Sequence, residues 1–205
     1  FQLLHQVALL TQNDLLEATL DLARFSTPEA RDIAKIGLAN YFAGAALLPY
    51  RAFLAAAQDQ RHDLERLADL FGASMEQVGH RLSTLQRPGA KGIPFFFVRV
   101  DQAGTITKRH SSTRLQFARF GAACPLWNVY DAFATPGMLR VQVSRMPEGQ
   151  TFFCVARTIN TAGRSLARGG LPTRVGQLAI GLGCASHFAK DIVYADGLSL
   201  DDPQI

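Results

Sequence analysis

The first residues that could support chemistry lie at the start of the chain, where residues 5–9 read HQVAL. Their spacing follows the zinc-binding pattern H-E-x-x-H, in which two His side chains lie one helical turn apart and the Glu is a general base. His5 keeps the first position, but Gln6 replaces the Glu and Leu9 replaces the second His. Gln cannot take a proton from a zinc-bound water, and Leu cannot bind a metal. We therefore expect no metal here, and His5 is interpreted as a relic or a pocket wall rather than a catalytic residue.

Basic residues are concentrated in the middle of the chain. Residues 87–174 carry 13 Lys and Arg against 3 acidic residues, a net charge of +10, whereas residues 1–86 and residues 175–205 carry −3 each. Such a block is expected to attract an anion, either nucleic acid or a phosphorylated small molecule. The few acids suit anion binding better than acid–base catalysis, and no Ser/His/Asp, Cys/His or paired-carboxylate pattern stands out. We therefore expect a binding protein and not an enzyme.

Cysteine usage predicts the compartment. Cys124, Cys154 and Cys184 are widely spaced, and an odd number without short spacings argues against a disulfide framework and for a reducing cytoplasm. Each is expected to be a small buried residue. No apolar run approaches the roughly 18 residues that a membrane span needs. Because the sequence lacks an initiator Met and opens inside a helical pattern, we expect it to be part of a longer protein.

Residues 1–86 are predicted to be helical. Thr27 and Pro28 mark the start of a helix that Pro49 ends, and a short helix is predicted at residues 50–57.

Two further helices are predicted at residues 63–71, closed by Gly72, and from Ser74 to about residue 85. Ser74 and Gln77 have the spacing of a capping box. The pair has the look of a helix-turn-helix, but its four acidic residues would face DNA phosphates unfavourably. Packing or dimerisation is the favoured role.

Residues 87–205 are predicted to form an antiparallel sheet after a turn-rich boundary at residues 87–92. Strands are predicted at residues 93–100, 105–109, 114–120, 139–145, 151–158 and 177–182. Helices are predicted at residues 125–133 and 187–194, and a mobile basic loop at residues 160–175. Residues 181–186 approximate G-x-G-x-x-G, but without a following βαβ unit a tight turn is the favoured interpretation. The predicted fold class is α+β, with a helical subdomain at residues 1–86 and an antiparallel sheet subdomain at residues 87–205.

Five stretches suggest a family. They read ANYFAGAALLPY (39–50), HRLSTLQRPGA (80–90), PFFFVRVD (94–101), CPLWNVYDAF (124–133) and IGLGC (180–184). Together they resemble the short-chain fatty-acyl transcriptional regulators, actinobacterial relatives of the activators of the propionate/methylcitrate and glyoxylate cycles. The resemblance covers nearly the whole chain.

The N-terminal part also resembles the zinc peptidases that accompany prophage repressors and bacterial stress regulators. In that family a later Glu-Ala-Asn supplies the third metal ligand, and here the matching triplet is Leu38-Ala39-Asn40. The base, the second His and the third ligand are therefore all replaced, which implies a pseudo-peptidase with an emptied cavity.

The resemblance implies a modular regulator with an N-terminal DNA-binding domain, this middle region and a C-terminal Cys cluster linked to an iron–sulfur cluster. The outer parts are absent from this sequence. Cys184 could contribute to such a cluster only in the full-length protein, because four thiolates are normally needed. Promoter DNA and further copies of the chain are the implied partners, with no membrane.

Three predicted strands share one pattern, in which two apolar side chains and one Arg lie on the same strand face. The sets are Phe95, Phe97 and Arg99, then Leu115, Phe117 and Arg119, then Phe153, Val155 and Arg157. One interpretation is a sheet core whose edge arginines reach solvent. The other is an apolar groove with arginines at its mouth, which suits an acyl thioester with a phosphate-bearing head because guanidinium groups bind phosphate bidentately.

The second interpretation predicts a site. Its phosphate-binding residues are Arg99, Lys108, Arg109, Arg114, Arg119 and Arg157. Its acyl and aromatic wall consists of Phe95, Phe97, Phe117, Trp127, Tyr130 and Phe153. The hypothesis is thus the effector-binding region of a bacterial transcription factor that senses a short-chain acyl-CoA, with propionyl-CoA favoured. Two alternatives stay open, namely direct nucleic-acid binding by the basic block and a residual zinc metallopeptidase.

Overall fold

A computed structural model of the chain describes residues 1–113, 127–147, 149–160, 177–200 and 203. The predicted strand at residues 114–120, the predicted loop at residues 160–175 and Cys124 lie outside the described residues, apart from the backbone of Asn160. The chain divides into two units, a helical unit, Phe1–Phe53, and a sheet unit, Leu54–Ile205.

The helical unit contains α1 (Gln2–Thr11), α2 (Asn13–Ala23) and α3 (Pro28–Leu47), and the division between the units falls inside α4 (Tyr50–Asp59). The predicted start of α3 is confirmed, since Thr27 Oγ1 accepts a hydrogen bond from the Ala30 amide at 3.2 Å and Pro28 is the first helical residue. Both α1 and α2 pack against α3. None of the described helices is both long enough and apolar enough to cross a membrane.

After the second half of α4, the sheet unit contains α5 (Leu64–Phe71) and α6 (Met75–Ser83), and the predicted end of α5 and start of α6 are confirmed. Gly72 closes α5 in the left-handed region at φ 58°. Ser74 and Gln77 form the capping box, with hydrogen bonds of 2.8 and 3.2 Å. Both signals act within a few residues, which is why the sequence reveals them.

Seven strands follow within the described residues. A small hairpin joins β1 (Gln86–Arg87) to β2 (Ala90–Lys91). The main sheet contains β3 (Phe96–Asp101), β4 (Ile106–Ser111), β5 (Arg140–Arg145), β6 (Thr151–Asn160) and β7 (Gln177–Ala185). Its strand order is β4-β3-β7-β6-β5, and every neighbouring pair is antiparallel. The helical part followed by an antiparallel sheet confirms the α+β class.

Helices cover both faces of this sheet. One face packs on α7 (Trp127–Asp131) and a 3-10 turn, Ala132–Ala134, through a core that includes Phe96, Val98 and Cys154. The other face packs against α6, and Gly79 on α6 lets the Phe97 ring approach closely. Helices α5 and α6 therefore belong to the sheet unit, although the predicted subdomain boundary lay after them.

Two local predictions for the end of the chain were wrong. Residues 181–185 continue β7 instead of forming a turn, and the predicted helix at residues 187–194 is two 3-10 segments, Ser186–Asp191 and Val193–Ala195, separated by extended Ile192. Gly183 serves packing. A Cβ there would overlap the Phe96 ring and lie 2.9 Å from the Phe153 carbonyl oxygen.

Replacing Gly183 with Ala is expected to destabilise the sheet unit by about 1–3 kcal/mol, because the new methyl group would meet the Phe96 ring in a filled core. Urea unfolding followed by the fluorescence of Trp127, the single tryptophan, measures this change in the right unit. The matched control is Gly37→Ala on α3, where the space is open and Ala is the better helix former, so it should not lower the midpoint. Equal midpoints for G183A and the wild type would contradict this account.

Candidate ligand-binding site

The strand register places three cations in one line across the sheet. Arg99 on β3 and Arg157 on β6 both pair with Ile180 on the central strand β7, and Lys108 on β4 pairs with Arg99. Directly paired residues share a face, so Lys108, Arg99 and Arg157 form a cationic row on the side of α6. Two strand spacings separate the arginines, which places their backbones roughly 10 Å apart.

An apolar row runs beside the cationic row on the same face. It consists of Phe97, Leu182 and Val155, which the register also pairs, and all three are buried. Phe153 continues this surface opposite Cys184. On β3 and β6 the alternation of apolar residues and Arg therefore follows the sequence pattern. Phe95 precedes β3, is buried, and packs edge-on against His62 with ring centroids 5.7 Å apart.

Carboxylates from the covering helices occupy the cationic row. Glu76 on α6 accepts from Arg99 Nη1 at 2.9 Å and from Lys108 Nζ at 3.4 Å, while Glu65 on α5 pairs with Arg157. Sequence reasoning missed these partners, which lie 23, 32 and 92 residues away along the chain. The only sequence signal for these ion pairs was the acidity of the two helices. The sequence analysis interpreted that acidity as unfavourable for DNA binding.

The space between these helices and the sheet is almost filled. A cavity of about 10 Å³ remains, lined by residues that include Leu64, Gly79, Phe97 and Val155. This volume holds at most a single water molecule. With α5 and α6 in this position, no acyl chain fits over the apolar row.

A histidine pair lies between α6 and β4. The rings of His80 and His110 are 5.8 Å apart, and His80 is also 5.8 Å from Phe97. The Ser83 hydroxyl donates to the His80 carbonyl oxygen at 2.7 Å, so it accepts from His110 Nδ1 at 3.0 Å. Burial, together with the nearby charge of Lys108, lowers the pKa of His80 to about 3. Burial also lowers the pKa of His110.

The sheet unit also has an open pocket of about 530 Å³. His62, which packs against Phe95, forms part of its wall. We call it the Arg61 pocket. It is lined by Gln58, Arg61, His62, Lys91, Gly92, Ile93, Phe188, Lys190 and Asp191. None of these residues belonged to the predicted site, because the pocket joins segments that are distant in sequence.

The remaining predicted residues lie elsewhere. Arg109 is exposed on β4 opposite Val98, so it faces away from the cationic row. Tyr130 on α7 is 37% exposed. Arg114, Phe117, Arg119 and the side chain of Trp127 lie outside the described residues.

The residues considered for metals are dispersed. His5 lies half-buried in α1, and within the described ranges no three His, Cys, Asp or Glu side chains are grouped to hold a metal ion. Cys154 and Cys184 are buried on opposite faces of the sheet. Burial raises the pKa of the Cys184 thiol, which disfavours the thiolate that an iron–sulfur cluster requires.

The partly buried His80 makes the stability of the sheet unit depend on pH. Unfolded His takes up a proton below about pH 6.5, whereas folded His80 does so only near pH 3, so the unfolded chain binds more protons between these values. Stability therefore falls as pH decreases through this window, with His80 contributing up to about 2 kcal/mol between pH 7.5 and 5.0. Urea unfolding of wild type and His80→Gln at both pH values should show a smaller loss for the variant. Equal losses would refute the assignment.

Comparisons with known proteins agree with this architecture. The family described as "Short-chain fatty acyl coenzyme A regulator, C-terminal" matches residues 84–205, and the "IrrE N-terminal-like domain" of peptidase family M78 matches residues 1–83. A solved structure, "Mycobacterium tuberculosis transcriptional regulator", has a TM-score of 0.90 at 48% identity, covering 98% of this chain and 60% of that one.

Three curated relatives are similar over almost the whole chain. The propionyl-CoA carboxylase regulator of Cereibacter sphaeroides is 72% identical over 98% of this chain and 42% of its own length. The HTH-type transcriptional regulators PrpR and RamB of Mycobacterium tuberculosis are 50% and 46% identical over 99% of this chain, and 41% and 42% of theirs. The chain thus spans about two fifths of these relatives' length. Its match over more than half its residues, together with these identities, shows that it belongs to the family of short-chain fatty acyl coenzyme A regulators.

Proposed function

We propose that the chain is the effector-binding region of a transcriptional regulator of propionate and short-chain fatty acid metabolism. Its effector would be a short-chain acyl-CoA, with propionyl-CoA preferred. The family match over residues 84–205, which include the whole main sheet, is the observation that carries this proposal. The 72% identical relative is named a propionyl-CoA carboxylase regulator, which supports the choice of acyl group.

The sheet face toward α6 supports the proposal chemically. An acyl-CoA needs an apolar surface for its acyl end and cations for its phosphates. The apolar row meets the first need, and the arginines of the cationic row, with Lys108, meet the second. Guanidinium groups bind phosphate bidentately, so Arg99 and Arg157 suit this ligand better than lysines would.

Binding at this face requires the covering helices to move. In the described arrangement Glu65 and Glu76 pair with the cationic row, and the cavity beneath the helices is too small for an acyl chain. Phosphates would replace the two carboxylates, and α5 and α6 would then move off the apolar row. The effector would thus select between two arrangements, closed by ion pairs or opened by ligand. At saturation, the free energy by which the effector shifts this equilibrium equals the difference between its binding free energies for the two arrangements.

The displacement of α5 and α6 would be the signal. We propose that it reaches promoter DNA through a domain outside this chain and that the protein acts as a homo-oligomer, without catalysing a reaction. An iron–sulfur cluster would belong only to the full-length protein. Direct nucleic-acid binding by the basic block is less favoured, because Arg99, Lys108 and Arg157 face carboxylates.

Calorimetric titration tests the effector. Propionyl-CoA is expected to bind, whereas free propionate, which lacks the phosphates, should give no measurable heat at the same concentration. CoA without an acyl group should bind more weakly than the thioester, because it leaves the apolar row uncovered. Absence of heat with propionyl-CoA would overturn the proposal.

The ion pairs supply a second prediction. Glu76→Gln and Glu65→Gln should each tighten propionyl-CoA binding by up to about fivefold, because partly exposed ion pairs contribute at most about 1 kcal/mol. Arg99→Gln should weaken binding at least tenfold. Glu29→Gln in the first turn of α3 makes the same charge change elsewhere and should have no effect. Weaker binding by either Glu→Gln variant would show that the helices do not compete with the ligand.

A further inference from the structure

We propose that the Arg61 pocket is a separate binding site for a small phosphate monoester that carries a hydroxyl group close to its phosphate. The pocket is open, with a volume of about 530 Å³, and its lining comes from the end of α4 and the turn after it, from residues 91–93 before β3, and from the 3-10 segment after β7. This volume lies within the range of small-molecule sites.

The backbone at the pocket is strained. Arg61 and His62 are consecutive residues with φ of 47° and 61°, in the left-handed region that glycine adopts without steric cost. A turn alone would not need a guanidinium and an imidazole at these two positions. Strain of this kind persists where the surrounding structure holds it, and it is concentrated at functional sites.

Both strained residues are held by the last described segment of the chain. The Arg61 guanidinium donates to both carboxylate oxygens of Asp196, at 2.6 and 2.8 Å, and the Arg61 carbonyl oxygen accepts from the Val193 amide at 2.9 Å. His62 Nδ1 lies 3.0 Å from the Asp191 carbonyl oxygen. These bonds fix the wall of the pocket before any ligand arrives.

His62 presents a defined acceptor. Only 5% of the surface of His62 is exposed. Burial lowers the pKa of the imidazole, so the ring is neutral at pH 7. Because a carbonyl oxygen only accepts, Nδ1 carries the proton toward Asp191, and Nε2 is left as an acceptor. Among the described residues Nε2 has no hydrogen-bond partner. A ligand hydroxyl could donate to it.

The charges select an anion. Arg61, Lys91 and Lys190 line the pocket against one lining carboxylate, Asp191. Asp196 neutralises Arg61, whereas neither lysine makes an ion pair within the described ranges. Counting Asp191 and Asp196 against the three cations, the pocket keeps a net charge of +1, and its two ammonium groups can bind a phosphate as point charges. Ile93 and Phe188 offer an apolar surface for the carbon chain.

Three small probes separate these contributions. Glycerol 3-phosphate has the phosphate and the hydroxyls, propyl phosphate has the same chain length without hydroxyls, and glycerol has no phosphate. Calorimetry, together with the NMR shift of the His62 ring, measures binding. Glycerol 3-phosphate is expected to bind at least tenfold more tightly than propyl phosphate, and glycerol should not bind. Equal binding of the two phosphates, or no binding of either at millimolar concentration, would overturn the proposal.

Variants locate the site. Lys91→Gln and Lys190→Gln should each weaken glycerol 3-phosphate binding at least tenfold, and both side chains are exposed, so folding is expected to be retained. Arg51→Gln, which removes an exposed cation from α4, is the matched control and should bind as the wild type does. Propionyl-CoA affinity should be unchanged in both lysine variants. A proportional loss of propionyl-CoA affinity would make the pocket part of the acyl-CoA site and overturn its independence.

Discussion

The register of the central strand β7 is the constraint on which the rest of the sheet unit depends. β7 lies between β3 and β6, and Gly183 allows the Phe96 ring to pack against its backbone. A slip by one residue would exchange the two faces of β7, so that Leu182 or Cys184 would take the place of Gly183 beside the Phe96 ring. The close approach at Gly183 therefore secures one core face for α7 and one face that combines apolar and cationic rows.

The second face is polar in an unusual place, beneath two covering helices. An apolar contact alone would give an anionic ligand nothing to replace, whereas partly exposed ion pairs are weak and can be exchanged for other anions. The balance between apolar packing and carboxylate pairing is what gives this face two accessible arrangements in our proposal. The almost filled cavity under the helices makes the closed arrangement well packed without making it irreversible.

Much of the fold was predictable because its signals are local. The caps at Thr27 and Ser74, and the alternation on β3 and β6, depend on neighbours a few residues apart. The prediction of a turn at Gly183 was wrong because the glycine makes room for the Phe96 ring, which only tertiary packing brings close.

The candidate site was predictable in part for the same reason. The positions of Arg99 and Arg157 on one face followed from strand periodicity, but their carboxylate partners did not. The Arg61 pocket was not predicted, since left-handed backbone at Arg and His has no sequence signature. The hydrogen-bond partners of Arg61 and His62 also lie about 130 residues away along the chain.

The hydrogen bonds of Arg61 also affect the chain topology. The hydrogen bonds of Arg61 with Val193 and Asp196 join the first part of the sheet unit to its last 3-10 segment, so the intervening residues form a loop closed without a covalent link. Closing so long a loop costs much chain entropy, which the bidentate Arg61–Asp196 pair helps to offset. Residues near the start of the sheet unit and residues after β7 therefore lie side by side. The sheet unit could therefore be circularly permuted with a short linker between these two segments. A displacement of one segment would also displace the other, because hydrogen bonds join them.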